Sequence, residues 1–169
     1  TPLEYAHTPS MDRIAREGSS GMLVTIPRGC EAGSDIANLS VLGYDPARYY
    51  TGRGPLEAMS MGIDLSPSEV AYRCNLVTVE ERIMKDFSAG HITSAEGGDL
   101  FAALAAALPG VVLHPGVSYR NVLVVPDGNG AETFPPHDIV GRPVDPYMPR
   151  GADAATLTRC IEKSREIFA

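Results

Sequence analysis

A serine stands where a glycine-bearing loop meets a helical pattern. The run Gly33-Ser34-Asp35 is followed by apolar residues at every third position as far as Leu42, which predicts a short helix that begins at Ser34. A serine at a helix start commonly accepts a free backbone N–H, so Ser34 taken alone is interpreted as a capping residue. The same position offers free N–H groups and a positive dipole potential to a phosphate esterified to the serine.

Phosphoryl transfer to Ser34 would need a further group, because a serine hydroxyl is a weak nucleophile until a base or a metal ionises it. Asp35 is adjacent in sequence, but its side chain is expected to point away along the helix. No HxxxH, HExxH or clustered carboxylate motif is present in the sequence. The residues around Ser34 therefore leave the capping and nucleophilic interpretations both open.

Composition restricts the classes of partner. The chain has 169 residues and a formal net charge of -7, which argues against a general nucleic-acid or anionic-membrane binder. A small anionic substrate remains compatible, since a pocket needs only a few well-placed cations. No apolar run approaches the roughly 20 residues of a membrane span. The three cysteines, Cys30, Cys74 and Cys160, form no CxxC pair, and we interpret them as reduced thiols of a cytoplasmic protein.

The predicted elements divide the chain near Ser66. Before it, a helix capped by Thr8 and ended by Gly18, a buried strand over Gly21–Pro27 and the Ser34 helix predict an α/β arrangement. After it, the pattern predicts strand, strand, helix, strands and a final helix, which is a small α+β unit with helices covering one face of a mostly antiparallel sheet. The sequence pattern of this second part includes the capping box Thr93–Glu96.

Several long blocks carry a family resemblance, and they follow one another in the order found in that family. They are Thr1–Ala15, Gly33–Pro46, Tyr50–Ala58, Tyr72–Thr78, Asp86–Ile92, His114–Arg120 and Pro136–Ile139. Together they closely resemble the archaeal-type 2,3-bisphosphoglycerate-independent phosphoglycerate mutases, which belong to the alkaline-phosphatase superfamily. The resemblance covers essentially the whole chain.

The resemblance implies a fold, a reaction and a role for Ser34. Residues 1–66 would be the nucleophile-bearing fragment of an alkaline-phosphatase-type α/β core, and residues 67–169 an inserted α+β cap domain. Ser34 would be both nucleophile and metal ligand, in a site with two divalent metals, Mn or Mg. It would take the phosphoryl group from 3-phosphoglycerate and return it to the 2-hydroxyl, an isomerase reaction of glycolysis.

The same resemblance implies substrate contacts for four residues of this chain. Arg73, Asn75 and Arg120 are candidates for binding the phosphate or carboxylate, and Arg53 is a further one; the guanidinium fork of arginine pairs with two oxygens. The alternatives are a solvated strand position for Arg73 and a surface charge for Arg120. His114 and His137 lie in matching blocks and could also reach a bound substrate.

The chain departs from the family in length. In the family the remaining Asp and His metal ligands lie outside the region matched here. We therefore expect the 169-residue chain by itself to bind no catalytic metal and to be inactive. An incomplete core sheet would expose apolar edges and faces, which favours self-association into a homo-oligomer.

Two other functions remain open. Some bacterial relatives of the family have been proposed as homoserine kinases, which would use the same nucleophile and metals. Alternatively, the chain could be a folded binding module without chemistry of its own. The expected partner in the first two cases is a small phosphorylated acid or a phosphoryl acceptor, with no nucleic acid and no membrane.

Overall fold

The computed structural model describes residues 1–168. The chain forms two compact units, Thr1–Tyr50 and Thr51–Ala169, and each is described by itself. No helix in the described part is both long enough and apolar enough to cross a membrane.

The first unit consists of four short helices joined by loops. They are α1 (Pro2–Tyr5), α2 (Pro9–Glu17), α3 (Ser34–Val41) and α4 (Pro46–Tyr49). The predicted start and end of α2 are confirmed, with Thr8 at the N-cap and Gly18 at the C-cap. Proline at the first helical position fits because its missing N–H would have no helical partner there.

The predicted strand over Gly21–Pro27 is wrong. The segment has no regular secondary structure, and no strand occurs among the described residues of the first unit. Met22 is fully exposed and Val24 is 74% exposed. An apolar run becomes a strand only when a neighbouring strand takes up its N–H and C=O groups, and this unit supplies none in its described part. The α/β arrangement predicted for the first 66 residues is therefore not formed here.

The second unit contains a three-stranded sheet, two two-stranded antiparallel pairs and three α-helices. Its strands are β1 (Val70–Asn75), β2 (Thr78–Glu80), β3 (Ile83–Asp86), β4 (Val112–His114), β5 (Arg120–Val125), β6 (Ala131–Glu132) and β7 (Arg150–Gly151). Its helices are α5 (Arg53–Ser60), α6 (Ser94–Ala107) and α7 (Ala154–Phe168), with 3-10 turns at Pro136–Ile139 and Asp145–Tyr147. The Thr93–Glu96 capping box at the start of α6 is confirmed.

Three antiparallel strands form the central sheet, in the order β1-β5-β4. Successive side chains alternate between its two faces. One face packs against α6 and α7 through a core that includes Leu104, Leu123 and Leu157. The opposite face packs against α5 through Ala58 and Val122. The small antiparallel sheet with helices is confirmed, but helices cover parts of both faces and not one face alone.

Helix α5 covers the second face of the sheet and contacts both β1 and β5. Because α5 packs on β1 and β5, the second compact unit begins at Thr51, whereas the sequence placed a boundary near Ser66. The division into a core fragment (1–66) and an inserted cap (67–169) stays a prediction.

A buried carboxylate ties the sheet to the start of α7. Asp153 is 7% exposed. It accepts hydrogen bonds from the Tyr72 hydroxyl at 2.6 Å and from the backbone N–H groups of Asn129 and Gly130 at 2.9 and 3.0 Å. Burial acts to raise the pKa of Asp153, but these three donors outweigh it and hold the pKa below its ordinary value.

This network predicts a pH-dependent stability. A lowered carboxyl pKa stabilises the fold at pH values above the unfolded pKa of about 4, and the contribution disappears as the pH falls through the folded pKa. At neutral pH, Asp153→Asn is expected to lower the free energy of unfolding by about 1–2 kcal/mol. The difference from wild type should vanish in acid. Urea unfolding at several pH values measures it, with the exposed Asp127→Asn as control; a pH-independent difference would contradict the assignment.

Candidate functional site

Ser34 is the first residue of α3 and is exposed to solvent. Gly33 occupies the N-cap position with extended backbone, so the hydroxyl of Ser34 is not the cap of this helix. The buried side chain of Ile36, the third residue of the helix, anchors α3 in its unit. The predicted helix start is confirmed, and the capping interpretation of Ser34 is wrong. The exposed hydroxyl lies beside the N–H groups of the first helical turn.

The carboxylate of Asp35, the residue after Ser34, contacts Tyr50. It accepts a hydrogen bond from the hydroxyl of Tyr50. This contact agrees with the expectation that the Asp35 side chain points away from Ser34. The first turn of α3 thus presents a hydroxyl and backbone donors, which suit an anion.

The second unit brings three of the predicted binding residues onto one face of the sheet. Arg73 and Asn75 are two residues apart on β1, so their side chains share a face. Asn75 pairs with Arg120 on β5, while Arg73 pairs with Val122. His114 on β4 pairs with the same Val122 from the other side. Antiparallel neighbours lie about 5 Å apart, so the four polar residues form one patch, called here the basic face.

Two atoms of the basic face are buried and unpaired. The Nε of Arg73 and the Oδ1 of Asn75 have no hydrogen-bond partner among the described residues. A buried polar atom without a partner costs about 1–3 kcal/mol. One atom is a donor and the other an acceptor, so a ligand carrying both anionic oxygens and a hydroxyl would satisfy them.

Arg120 is exposed, and its guanidinium interacts with Tyr119 and Glu57. Its Nη2 lies 3.5 Å from the hydroxyl of Tyr119, and its guanidinium carbon lies 5.4 Å from the centre of the Tyr119 ring. The hydrogen bond to Tyr119 raises the pKa of Arg120 above its ordinary value, and the negative charge of Glu57 on α5 adds to the effect. Arg120 therefore stays fully charged and faces the side of the sheet that α5 covers.

The turn between β4 and β5 is built around Asn121, a residue to which no sequence motif pointed. Asn121 is 1% exposed; its Oδ1 accepts from the N–H of Gly116 at 3.0 Å and its Nδ2 donates to the carbonyl of Tyr119 at 3.1 Å. A side chain on Gly116 would stand 2.3 Å from the carbonyl oxygen of Arg120, so only glycine fits. The signal for Asn121 was a polar residue at the start of an apolar strand.

Arg53 is the first residue of α5 and is half-buried. The next residue, Gly54, lies so close to β1 that an added Cβ would stand 2.0 Å from the carbonyl oxygen of Ala71. The glycine thus allows α5 to contact the sheet backbone directly and places Arg53 beside the face that carries Arg73.

The resemblance implies two divalent metals at the Ser34 site. Among the described residues, no group of three or more His, Cys, Asp or Glu could hold a metal ion.

Comparison with solved structures gives the class of protein. A cofactor-independent phosphoglycerate mutase from Thermoplasma acidophilum is 30% identical, with a TM-score of 0.54 over 99% of this chain and 46% of that chain. The PH0037 protein from Pyrococcus horikoshii is also 30% identical, with a TM-score of 0.64 over 99% of this chain and 38% of that chain.

Comparison of sequences gives the family. Residues 15–169 match the family model of the 2,3-bisphosphoglycerate-independent phosphoglycerate mutases, and the chain belongs to this family. The mutase of Methanothrix thermoacetophila is 52% identical over 99% of this chain and 43% of its own length. That of Methanosarcina barkeri is 51% identical over 97% of this chain and 42% of its own length. The chain thus spans less than half the length of these curated relatives.

Proposed function

We propose that the protein to which this chain belongs is a phosphoglycerate mutase that interconverts 3- and 2-phosphoglycerate through a phosphoserine at Ser34. The observation that carries the proposal is the exposed hydroxyl at the first turn of α3 in a chain of this family. The proposal includes two divalent metals, Mn or Mg, with Ser34 as one ligand and the others outside this chain. It also includes an alkaline-phosphatase-type core and a cytoplasmic location.

The reaction can be written without a nucleotide. The Oγ of Ser34 gives up its proton and forms a bond to the phosphorus as the bond to the substrate's 3-oxygen breaks, and that oxygen takes up a proton. The 2-hydroxyl then loses its proton and receives the phosphoryl group as the Ser34 ester breaks, and the Oγ of Ser34 takes up a proton again. The positive end of α3 stabilises the phosphate on Ser34 by its free N–H groups.

The basic face is proposed to bind the substrate. Arg73 and Arg120 each pair with phosphate or carboxylate oxygens, and Asn75 offers a neutral acceptor for a hydroxyl. The unpaired Nε of Arg73 and Oδ1 of Asn75 support this assignment, because a bound phosphoglycerate would supply their partners. Arg53 at the start of α5 is the fourth proposed contact.

An assay of the full-length protein tests the function. With divalent metal and no nucleotide, we expect 3-phosphoglycerate to be converted to 2-phosphoglycerate. Homoserine phosphorylation that depends on ATP, without mutase turnover, would instead identify a kinase. If the full-length protein shows neither activity, the result favours the binding module.

The 169-residue chain by itself is predicted to be inactive in the same assay. The described part of this chain holds no three-residue metal group, and a serine that is not ionised reacts slowly. Full-length protein prepared in parallel is the control. Turnover of 3-phosphoglycerate by the purified chain, at a rate above its Ser34→Ala variant, would overturn this expectation.

A further inference from the structure

Three sequence blocks that lie far apart in the chain meet in one row of aromatic rings. The Phe87 ring packs edge-on against Tyr119, with centroids 5.9 Å apart, and against His137, with centroids 6.2 Å apart. These residues come from the blocks Asp86–Ile92, His114–Arg120 and Pro136–Ile139, of which the last two gave candidate substrate contacts. The row ends at Arg120, whose guanidinium lies over the ring of Tyr119.

The backbone of Tyr119 also makes contacts, in addition to those of its ring. Its carbonyl accepts hydrogen bonds from the N–H of Leu76 at 2.9 Å and from the Nδ2 of Asn121 at 3.1 Å. Leu76 and Asn121 are both buried. Tyr119 is thus fixed at both ends, by buried hydrogen bonds at the main chain and by Phe87 at the ring.

Arg120 by contrast is exposed and has many rotamers. A long side chain that is free in solution loses rotamer freedom when a ligand binds it, and a contact that orders it beforehand removes that loss. The Tyr119 ring is the contact that the structure provides. It also leaves guanidinium N–H groups available, since a ring face and one hydroxyl use only part of the five donors.

We propose that Tyr119 is a positioning residue for substrate binding, which holds Arg120 toward the basic face while Phe87 and Asn121 hold Tyr119 in place. This inference rests on the proposed function, because it takes Arg120 as a substrate contact. The ligand that Arg120 meets is an anionic oxygen group, phosphate or carboxylate. Tyr119 itself is not a catalytic residue.

Steady-state kinetics of the full-length protein with 3-phosphoglycerate test this. Tyr119→Leu is expected to raise KM by about two- to fivefold, the size of an exposed cation–π contact, with kcat unchanged because the contact is made equally before and during reaction. Tyr119→Phe keeps the ring and should restore most of the affinity. Arg120→Ala should raise KM by about tenfold or more.

A double-mutant cycle separates positioning from folding. In the Arg120→Ala background, Tyr119→Leu is expected to add no further increase in KM. Tyr147 supplies the matched control: it packs edge-on against Phe134 at 5.3 Å and accepts a hydrogen bond from Arg142, so Tyr147→Leu removes a similar Arg-Tyr-Phe contact and should leave KM unchanged.

The outcomes distinguish this inference from the proposed function. An equal rise in KM for Tyr119→Leu with and without Arg120 overturns positioning, as does a large effect of Arg120→Ala with none of Tyr119→Leu; both leave the proposed function standing. An unchanged KM in Arg120→Ala overturns the substrate role of Arg120 and the inference with it.

Discussion

Replacing Ser34 by alanine in the full-length protein is expected to lower kcat for 3-phosphoglycerate by about 10³-fold or more, with the fold intact. The loss is large because a covalent nucleophile has no substitute within its site. Ser34 is exposed on the first turn of α3, so removing its hydroxyl breaks no packing. Intact-mass measurement after incubation with substrate should show one added phosphate on the wild type and none on Ser34→Ala.

The matched control lies on the same helix. The Oγ of Ser40 is buried and has no hydrogen-bond partner among the described residues, so Ser40→Ala should preserve both the rate and the phosphate adduct. A Ser34→Ala protein that turns over at the wild-type rate, or that still gains phosphate, would show that the nucleophile is another residue.

Gly54→Ala is expected to destabilise the second unit by about 1–3 kcal/mol or more, the range for overpacked interiors. The added methyl would stand 2.0 Å from the carbonyl oxygen of Ala71 and 2.9 Å from the Cα of Tyr72. Both are backbone atoms of β1, so α5 must move away from the sheet. Urea unfolding of the 169-residue chain, followed by far-UV circular dichroism, measures the change in the free energy of unfolding.

Gly98→Ala tests whether the cost at Gly54 is steric. Gly98 lies within α6, and a Cβ there meets nothing within 4 Å, so alanine should stabilise the helix by roughly 0.5–1 kcal/mol. The same substitution is thus expected to have opposite signs in two helices of one unit. If both variants are stabilised, the close approach of α5 to β1 is not present in solution.

Gly54→Ala is also expected to affect substrate binding, because α5 begins with Arg53, a proposed substrate contact. Displacement of the helix from β1 would move Arg53 relative to Arg73. In the full-length protein we therefore expect KM for 3-phosphoglycerate to rise along with the loss of stability, whereas Gly98→Ala should leave KM unchanged.

Elements with strong local signals were predicted well from the sequence. The Thr8 cap and Gly18 end of α2 and the capping box of α6 all act within a few residues. The segment Gly21–Pro27 was predicted wrongly, because its apolar pattern specifies a strand only where a partner strand exists. The interpretation of Ser34 as a cap also failed, since Gly33 fills that position.

The sequence by itself determined the family, the helix that begins at Ser34 and the residue types of the basic face. Those features depend on local spacing and on long matching blocks. Only the tertiary structure decided that Asn75 pairs with Arg120, that α5 covers the second face of the sheet, and that Tyr119 lies between Phe87 and Arg120. These contacts join residues distant along the chain, and their geometry follows from strand register and packing, which no local pattern encodes.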